Sequence, residues 1–460
     1  MCHLDGEGVT KASNQAAKPW VGSVRRVCNG SQMRVQIFFI LSLCGVFGCE
    51  AAPRTVVEAG RYWAHARGAG AAPRAITAWI EHKAKVETWQ SAVPSPRRDV
   101  VPGASLDAVD SWISGLAPET EYEARLCIEE GKGSPRCGQS AVILTKPGVL
   151  LPWVEVDPSV PRQLRLETGE RFVVWGNNFV GVKVAGLSNQ LVEDQMYTAD
   201  GLVAIDADLA RLVNSAPPNG VNNAIRMHLQ LHTFLLDATT ANPEALARYA
   251  HVIELAEDRG LRVMVTGLNY FYPADNPPWI AEQTSEADHW ATQAVWWNAM
   301  AKALRHSPGV FAYDLMNEPY TSGGRLEGGL AWYTTTAPSS YCDYGADSAL
   351  GIKGTCFGQY ITAELGGRPA AEVAAAWTAQ LRQAIRFSGA EENDRRHLIT
   401  IGVGAFGLNN SFNFAAEVNA SLDFLSPHLY PEGDGADTTI ALAKALAERT
   451  PNKPIMVWTI

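Results

Sequence analysis

The sequence has no excess of positive charge, no long apolar run apart from one near its start, and no phosphate-binding motif. Its 38 Lys and Arg residues are outnumbered by 48 Asp and Glu, so the formal net charge of the 460 residues is −10. Nucleic-acid binding relies on clustered Lys and Arg, and because no such cluster occurs, a nucleic-acid partner is disfavoured. The single apolar run excludes a polytopic membrane protein. Neither GxGxxG nor a P-loop supports a nucleotide-binding fold.

The apolar run predicts export. It follows Met33 and Arg34 and extends over residues 35–49. A positive residue, an apolar stretch too short to span a bilayer and then small residues are typical of a signal peptide. Val46-Phe47-Gly48-Cys49 resembles the lipobox of bacterial lipoproteins, which implies acylation of Cys49. We expect residues 1–32 to be a non-native or disordered extension and residues 33–49 to be the signal. The protein is then a cell-surface lipoprotein or a secreted or periplasmic protein, with no other membrane contact.

Four cysteines lie outside this leader, in two close pairs. In an oxidising compartment, even and short-range pairing predicts two local disulfides, Cys127–Cys137 and Cys342–Cys356. Neither pair has the CxxC spacing or the nearby His of a zinc site. The sequence therefore predicts no metal, and it suggests no cofactor.

Residues 55–145 have the pattern of a small all-β sandwich. Short runs such as 75–80 and 122–128 are separated by Gly, Pro, Ser and Asp turns. The segment from Leu116 to Tyr122 resembles the fibronectin type III pattern, in which a Tyr before strand F makes a corner contact. This resemblance implies that Cys127 and Cys137 join strands F and G. Residues 146–164 are Pro-rich and are expected to be a linker to the next domain.

From residue 165 to residue 460, apolar runs alternate with helical patterns, which is typical of a parallel α/β sheet. Helical patterns cover 243–259, 290–306 and 370–388. Seven such strand–helix steps favour a (β/α)8 TIM barrel over a doubly wound sheet. The candidate strands are 172–175, 223–227, 262–267, 310–316, 398–403, 424–429 and 454–459.

The string Phe311-Ala312-Tyr313-Asp314-Leu315-Met316-Asn317-Glu318-Pro319-Tyr320 is the most informative for function. It carries a buried strand into Asn-Glu-Pro, which places a carboxylate at the C-terminal rim where TIM barrels keep their sites. The string resembles the clan A retaining glycoside hydrolases, most closely family 5. The resemblance implies that Glu318 is the general acid/base and that Asn317 holds the 2-hydroxyl of the sugar being cleaved.

Further matches follow in order along residues 165–460. Arg226 stands where the family has a second-strand Arg that supports the nucleophile. Asn177 lies in a segment that resembles the Gly-x-Asn at the end of the family's first strand. His428 and Tyr430 match the His-x-Tyr that follows the sixth strand. Tyr270 and Trp279, after the third strand, are candidates for stacking on sugar rings.

One part of the family pattern is missing. The family's nucleophile is a Glu at the end of the seventh strand, after a Lys-Pro-apolar run. Here that run begins at Lys453, Thr459 occupies the aligned position, and the sequence ends at Ile460. No eighth strand follows, so the first and seventh strands would keep unpaired edges. We therefore expect a C-terminally truncated barrel, with the nucleophile at or beyond the end of strand 7.

These observations predict a retaining endo-β-glycosidase that hydrolyses β-linked oligo- or polysaccharide, or glycoconjugate, by double displacement. Such chemistry needs one carboxyl that donates a proton to the leaving oxygen and a second that attacks the anomeric carbon. Two alternatives stay open. A catalytically inactive pseudoenzyme would bind carbohydrate in the same cleft, and a surface adhesion protein would bind a partner through its sandwich.

Overall fold

A computed structural model describes most of the chain after the leader. It covers residues 54–149, 151–183, 189–214, 222–269, 277–281, 285–322, 360–362, 365–403, 415–429 and 436–458. These residues belong to one compact unit, Ala51–Ile460. None of the helices within them has the length and apolar character needed to cross a membrane.

The N-terminal region is built from nine strands and two 3-10 turns, Trp89–Ser91 and Leu106–Ala108. The strands are β1 Arg54–Ala59, β2 Trp63–Ala69, β3 Ile76–Ala84, β4 Val93–Pro94, β5 Arg98–Val100, β6 Asp110–Ser114, β7 Glu121–Glu129, β8 Arg136–Cys137 and β9 Ala141–Leu144. They form two antiparallel sheets, one in the order β1-β2-β6 and one in the order β4-β3-β7-β8, with β5 on β3 and β9 on β7.

The two sheets share one hydrophobic core, because alternate residues of each strand face inward. Ala66 of β2, Ile80 of β3 and Leu126 of β7 are buried in this core. The Tyr122 hydroxyl accepts a hydrogen bond from the Ala117 N–H at 3.0 Å. A disulfide joins Cys127 to Cys137, which are paired across β7 and β8.

Within the described residues that follow, there are fifteen further strands and eight helices, with a 3-10 turn at His232–Phe234. The strands are β10 Val154–Val156, β11 Leu164–Leu166, β12 Arg171–Phe172, β13 Gly176–Asn178, β14 Gly181–Lys183, β15 Asn189–Leu191, β16 Ala224–Gln230, β17 Arg262–Asn269, β18 Val310–Asn317, β19 Tyr320–Ser322, β20 Tyr360–Thr362, β21 Phe387–Ser388, β22 Glu391–Glu392, β23 Leu398–Val403 and β24 Ser426–Pro427. The helices are α1 Val192–Gln195, α2 Ala199–Asn214, α3 Pro243–Asp258, α4 Pro278–Ala281, α5 Glu286–Leu304, α6 Ala370–Arg386, α7 Ala416–Asn419 and α8 Ala436–Arg449.

Six of these strands form a parallel sheet in the order β13-β16-β17-β18-β23-β24, with helices between successive strands. The parallel bridges Leu425–Ile455 and His428–Trp458 bring the segment around residues 455–458 against the last strand. Strands β16, β18 and β23 are buried along their whole length, as expected for a parallel sheet covered on both faces. This is the curved parallel sheet of the expected barrel.

The structure corrects the start of this domain. The first parallel strand is Gly176–Asn178, not 172–175, and Phe172 instead pairs with Leu164 in the antiparallel sheet β10-β11-β12. The segment 146–164, expected to be a linker, supplies β10 and the start of β11. Its apolar side chains join a core with Ala224 and Phe311, near the N-terminal ends of the barrel strands. The segment therefore covers the bottom of the barrel because its apolar residues have a surface to bury.

The N-terminal region also packs on the barrel through α3. Tyr62, fully buried, donates from its hydroxyl to the Glu257 carboxylate at 3.0 Å. Trp63 stacks on His251 with ring centroids 4.9 Å apart, and the Arg61 N–H donates to Glu254. Tyr62 and Trp63 belong to the same core cluster as the barrel helices. The two regions are therefore joined by a packed interface.

Candidate active site

The candidate site lies at the C-terminal ends of the parallel strands. Along β16, Ile225 and Met227 pack outward in the core shared with the helices. Successive side chains of a strand alternate, so Arg226 and His228 point to the interior of the sheet. Polar side chains from β13, β17, β18 and residue 428 meet them there.

A buried ion pair forms the base of the site. Arg226 donates to Asp314 Oδ2 from Nε at 3.1 Å and from a terminal nitrogen at 2.5 Å, and both side chains are 0% exposed. Thr266 Oγ1 donates to the same oxygen at 2.9 Å, while the Gly402 N–H donates to Asp314 Oδ1 at 2.6 Å. Burial of two charges is tolerated only when they are paired and their remaining polar atoms are satisfied, as they are here.

The remaining donors of Arg226 hold three further side chains. One terminal nitrogen donates to Asn317 Oδ1 at 2.9 Å, and the other lies 2.7 Å from His228 Nε2 and 3.4 Å from Asn178 Oδ1. The planar guanidinium thus sets the positions of residues from β13, β16 and β18 at once.

Glu318 follows β18 and has an unusual backbone. Its φ is 47°, in the left-handed region, which costs energy for a residue with a Cβ. Its N–H donates to the Gly402 carbonyl at 2.7 Å, and its Oε1 lies 2.9 Å from His428 Nδ1. The side chain of Glu318 is 25% exposed, whereas that of His428 is 0% exposed. Glu318 is therefore a supported carboxyl that solvent or a ligand can reach.

Both histidines of the cluster are disfavoured as cations. Burial, followed by the nearby Arg226 charge, lowers the pKa of His428, although its hydrogen bond to Glu318 acts in the opposite direction. Burial and Arg226 also hold the pKa of His228 well below its usual range. His428 is then neutral near pH 7, and since its Nε2 has no hydrogen-bond partner among the described residues, its Nδ1–H can donate to the Glu318 carboxylate.

The structure brings together four of the predicted residues, Arg226, Asn317, Glu318 and His428, but not Asn177. The Asn177 side chain is exposed and donates to Asn222 Oδ1 at 3.3 Å; its neighbour Asn178 occupies the site instead. A shift of one residue along a strand moves a side chain to the opposite face, so Asn177 and Asn178 point to opposite faces of the sheet. Trp279 is partly buried and packs against the main core.

Other predictions fall outside the described residues. These are Tyr270, Tyr430, Thr459, Cys49, Cys342 and Cys356.

Besides Asn178, the sequence did not point to four residues of the cluster, namely Asp314, Thr266, Gly402 and His228. A signal existed for Asp314, because an acid inside an otherwise apolar strand needs a buried partner. For Gly402 the reason is spatial: a Cβ at this position would lie 2.6 Å from His428 Nε2 and 2.8 Å from an Arg226 terminal nitrogen.

A parallel α/β barrel with an acid after its fourth strand defines a broad class of hydrolases. The sequence matches the family model described as cellulase, glycosyl hydrolase family 5, over residues 208–453. The chain therefore belongs to glycosyl hydrolase family 5, a family of O-glycosyl hydrolases, which confirms the resemblance. No curated protein matches its sequence.

Several solved structures are similar. An exo-β-1,4-mannosidase from Opitutaceae bacterium strain TAV5 is 16% identical, with a TM-score of 0.43 over 66% of this chain and 48% of its own. A GH5_18 protein from Streptomyces cattleya, in complex with Manb1-4GlcNAc, is 14% identical, with a TM-score of 0.37 over 57% and 54%. A β-glucuronidase from Ruminococcus gnavus is 10% identical, with a TM-score of 0.36 over 88% and 53%. The chain spans about half the length of these structures.

Proposed function

We propose that this protein is a retaining β-glycosidase in which Glu318 is the general acid/base. The observation that carries the proposal is the Glu318 carboxyl, reachable at the C-terminal end of β18 and 2.9 Å from His428 Nδ1. Beside it, Asn317 is held by a fully buried Arg226. Membership of glycosyl hydrolase family 5 supports this reaction class.

In the first step, the protonated Glu318 carboxyl gives its proton to the leaving oxygen as the glycosidic bond breaks and a nucleophilic carboxylate bonds to the anomeric carbon. The Glu318 carboxylate that results accepts the Nδ1–H of neutral His428. In the second step it takes a proton from the water whose oxygen bonds to the anomeric carbon as the bond to the nucleophile breaks. Asn317, whose amide oxygen is occupied by Arg226, offers its NH2 group to the 2-hydroxyl of the sugar. Retention also needs a nucleophilic carboxylate about 5–5.5 Å away. The aligned Thr459 lies outside the described residues.

The proposed substrate is a β-linked oligo- or polysaccharide, or glycoconjugate, cleaved in endo fashion. Family membership supports a β-linked sugar, and the products report the mode of action. An endo enzyme releases oligosaccharides of several lengths and lowers polymer viscosity early, whereas an exo enzyme releases a single short sugar.

The decisive experiment compares Glu318→Gln with the parent protein on aryl β-cellobiosides and β-mannobiosides. Loss of a general acid costs about 10²–10⁴-fold in rate, mostly for poor leaving groups that need protonation. We expect this loss for phenyl glycosides and a much smaller one for 2,4-dinitrophenyl glycosides. Glu372→Gln, on the exposed face of α6, is the matched control. Unchanged hydrolysis of phenyl glycosides by the Glu318→Gln protein would falsify the assignment.

A second candidate is a protein that binds carbohydrate in this cleft without cleaving it. It is favoured by the Thr459 hydroxyl, which cannot replace a carboxylate nucleophile at the aligned position. Calorimetric titration with cellohexaose and mannohexaose separates the two, since this candidate predicts binding without any product. An adhesion role through residues 55–145 predicts instead that binding to a partner survives Glu318→Gln and is lost when that surface is altered.

We also propose that the N-terminal region is a fibronectin type III-like domain of an exported protein. Its sheets β1-β2-β6 and β4-β3-β7-β8 and the Tyr122–Ala117 contact support the first part. The Cys127–Cys137 disulfide supports an oxidising compartment. Mass spectrometry of the native protein tests both the disulfide and acylation of Cys49.

A further inference from the structure

The ladder between β18 and β23 contains an irregularity immediately before the catalytic candidate. Asp314 pairs with Thr400 and Asn317 pairs with Gly402, so two residues of β18 stand opposite one residue of β23. Such a β-bulge bends a strand and redirects the side chains beyond it. Here the residues beyond it are Asn317 and Glu318.

Gly402 is held from both sides of this bulge. Its N–H donates to the Asp314 side chain at 2.6 Å, and its carbonyl accepts the Glu318 N–H at 2.7 Å. The carboxylate of Asp314 thus satisfies the Gly402 N–H within the irregular part of the ladder. Because Glu318 has a left-handed backbone, it needs such external support to keep its conformation.

The second oxygen of Asp314 acts on Asn317 through Arg226. Oδ2 accepts from Arg226 at 2.5 and 3.1 Å, and the same Arg226 nitrogen that makes the shorter contact donates to Asn317 Oδ1 at 2.9 Å. An arginine only donates, so the contacted atom of Asn317 is its amide oxygen and the NH2 group is left for another partner.

We infer that Asp314 is a positioning residue that sets the orientation of both Glu318 and Asn317. Asp314 is 0% exposed and cannot touch a substrate. Its Oδ1 is connected to Glu318 through Gly402, and its Oδ2 is connected to Asn317 through Arg226. This inference rests on the proposed function for its kinetic consequence. The geometric claim concerns only the Asp314–Gly402 and Asp314–Arg226 contacts.

Asp314→Asn tests the inference because it preserves shape and removes one acceptor. Both oxygens of Asp314 face donors, from Gly402 on one side and from Arg226 and Thr266 on the other. Asparagine offers one oxygen and one NH2 group, so a donor must face a donor whichever way the amide is turned. We expect about a 10²-fold loss of kcat on phenyl glycosides, as for a misplaced reacting group, and a smaller loss on 2,4-dinitrophenyl glycosides.

Two further variants keep the test interpretable. Thr266→Val removes one donor to Asp314 and keeps the ion pair, so about a tenfold loss in the same leaving-group-dependent direction is expected even if Asp314→Asn fails to fold. Asp206→Asn, at an exposed pair with Arg259, is the matched control and should leave kcat unchanged.

A readout that needs no turnover is the imidazole ¹⁵N shift of His428, assigned with His428→Gln. The Gly402 backbone lies against this ring, so its release by Asp314→Asn should shift the signal, whereas Asp206→Asn should not.

The outcomes separate the two proposals. Loss of phenyl glycoside hydrolysis in Glu318→Gln, together with equal losses on both leaving groups in Asp314→Asn and Thr266→Val, would overturn the positioning role alone. Unchanged phenyl glycoside hydrolysis in Glu318→Gln, or no turnover by the parent protein, would overturn the proposed function. The ¹⁵N shift of His428 would then test the positioning role of Asp314 by itself. An unchanged His428 ¹⁵N shift in Asp314→Asn overturns the positioning role, and a changed shift supports it.

Discussion

Two buried carboxyl groups of this protein are held by opposite means. Asp314, at the base of the candidate site, is paired directly with the Arg226 guanidinium. Glu257, between α3 and the N-terminal region, accepts mainly from neutral donors: the Tyr62 hydroxyl at 3.0 Å and the Gly309 N–H at 3.0 Å, with Ser307 Oγ as a third. Its nearest guanidinium contact, to Arg61, is longer, at 3.8 Å.

The consequence is visible in the protonation of Glu257. Burial raises its pKa to about 7, and the hydrogen bonds from Ser307, Gly309 and Tyr62 only partly oppose this. A carboxyl that holds an interface can be neutral or charged and still accept hydrogen bonds. Asp314 differs in that one of its donors is a guanidinium, which pairs with its charge directly and which it orients in turn.

The largest expected effect comes from breaking the ion pair. Arg226→Met leaves the Asp314 carboxylate buried without its cation, which typically costs about 3–5 kcal/mol of unfolding free energy. The matched control is Arg259→Met, at an exposed pair with Asp206, for which about 0–1 kcal/mol is expected. Urea denaturation of the variants measures both. Equal losses of unfolding free energy in the two variants would mean that the buried Arg226–Asp314 pair stabilises the fold no more than the exposed pair does.

The second effect concerns pH. The pKa of Glu257 is raised from 4.5 to about 7 in the folded state, so between these values the folded protein binds more protons than the unfolded one. The contribution of Glu257 to the free energy of unfolding is therefore fully present below about pH 4.5. It is lost as pH rises through about 7, by roughly 3 kcal/mol in total. Glu257→Gln should flatten this part of the stability profile. A parallel profile in the variant would contradict the assignment.

The smallest effect is the loss of one neutral donor. Tyr62→Phe removes the hydroxyl that donates to Glu257 and keeps the packed ring, so about 1–2 kcal/mol of unfolding free energy should be lost. A double-mutant cycle with Glu257→Gln isolates the contact itself. Additive losses would show that Tyr62 and Glu257 do not interact across the interface.

Much of the parallel sheet was predictable because its strands are continuous apolar runs. The strand 398–403 was predicted with its observed bounds, and Val310–Asn317 differs by one residue. Arg226, Asn317, Glu318 and His428 were predicted from the family resemblance. For Glu318 there was a second reason in the sequence, because Asn-Glu-Pro follows a buried strand and so lies at the C-terminal rim of the sheet.

Short and irregular elements were harder. Asn178 and not Asn177 enters the site, because a strand of three residues has too little pattern to show which face is inward. The segment 146–164 has prolines typical of a linker, but Val154 and Leu164 bury apolar surface under the barrel. Its assignment depended on a surface that only the folded barrel provides.

The local sequence pattern predicted the strands, the helices and the position of Asn-Glu-Pro at the rim of the sheet. It could do so because hydrophobic periodicity and turn residues act over a few neighbouring positions. Contacts between distant residues needed the folded molecule. Asp314 meets Gly402 across 88 positions, and Tyr62 meets Glu257 across 195. Such pairs form only when distant segments pack together, because spacing along the sequence does not show which residues become neighbours in the fold.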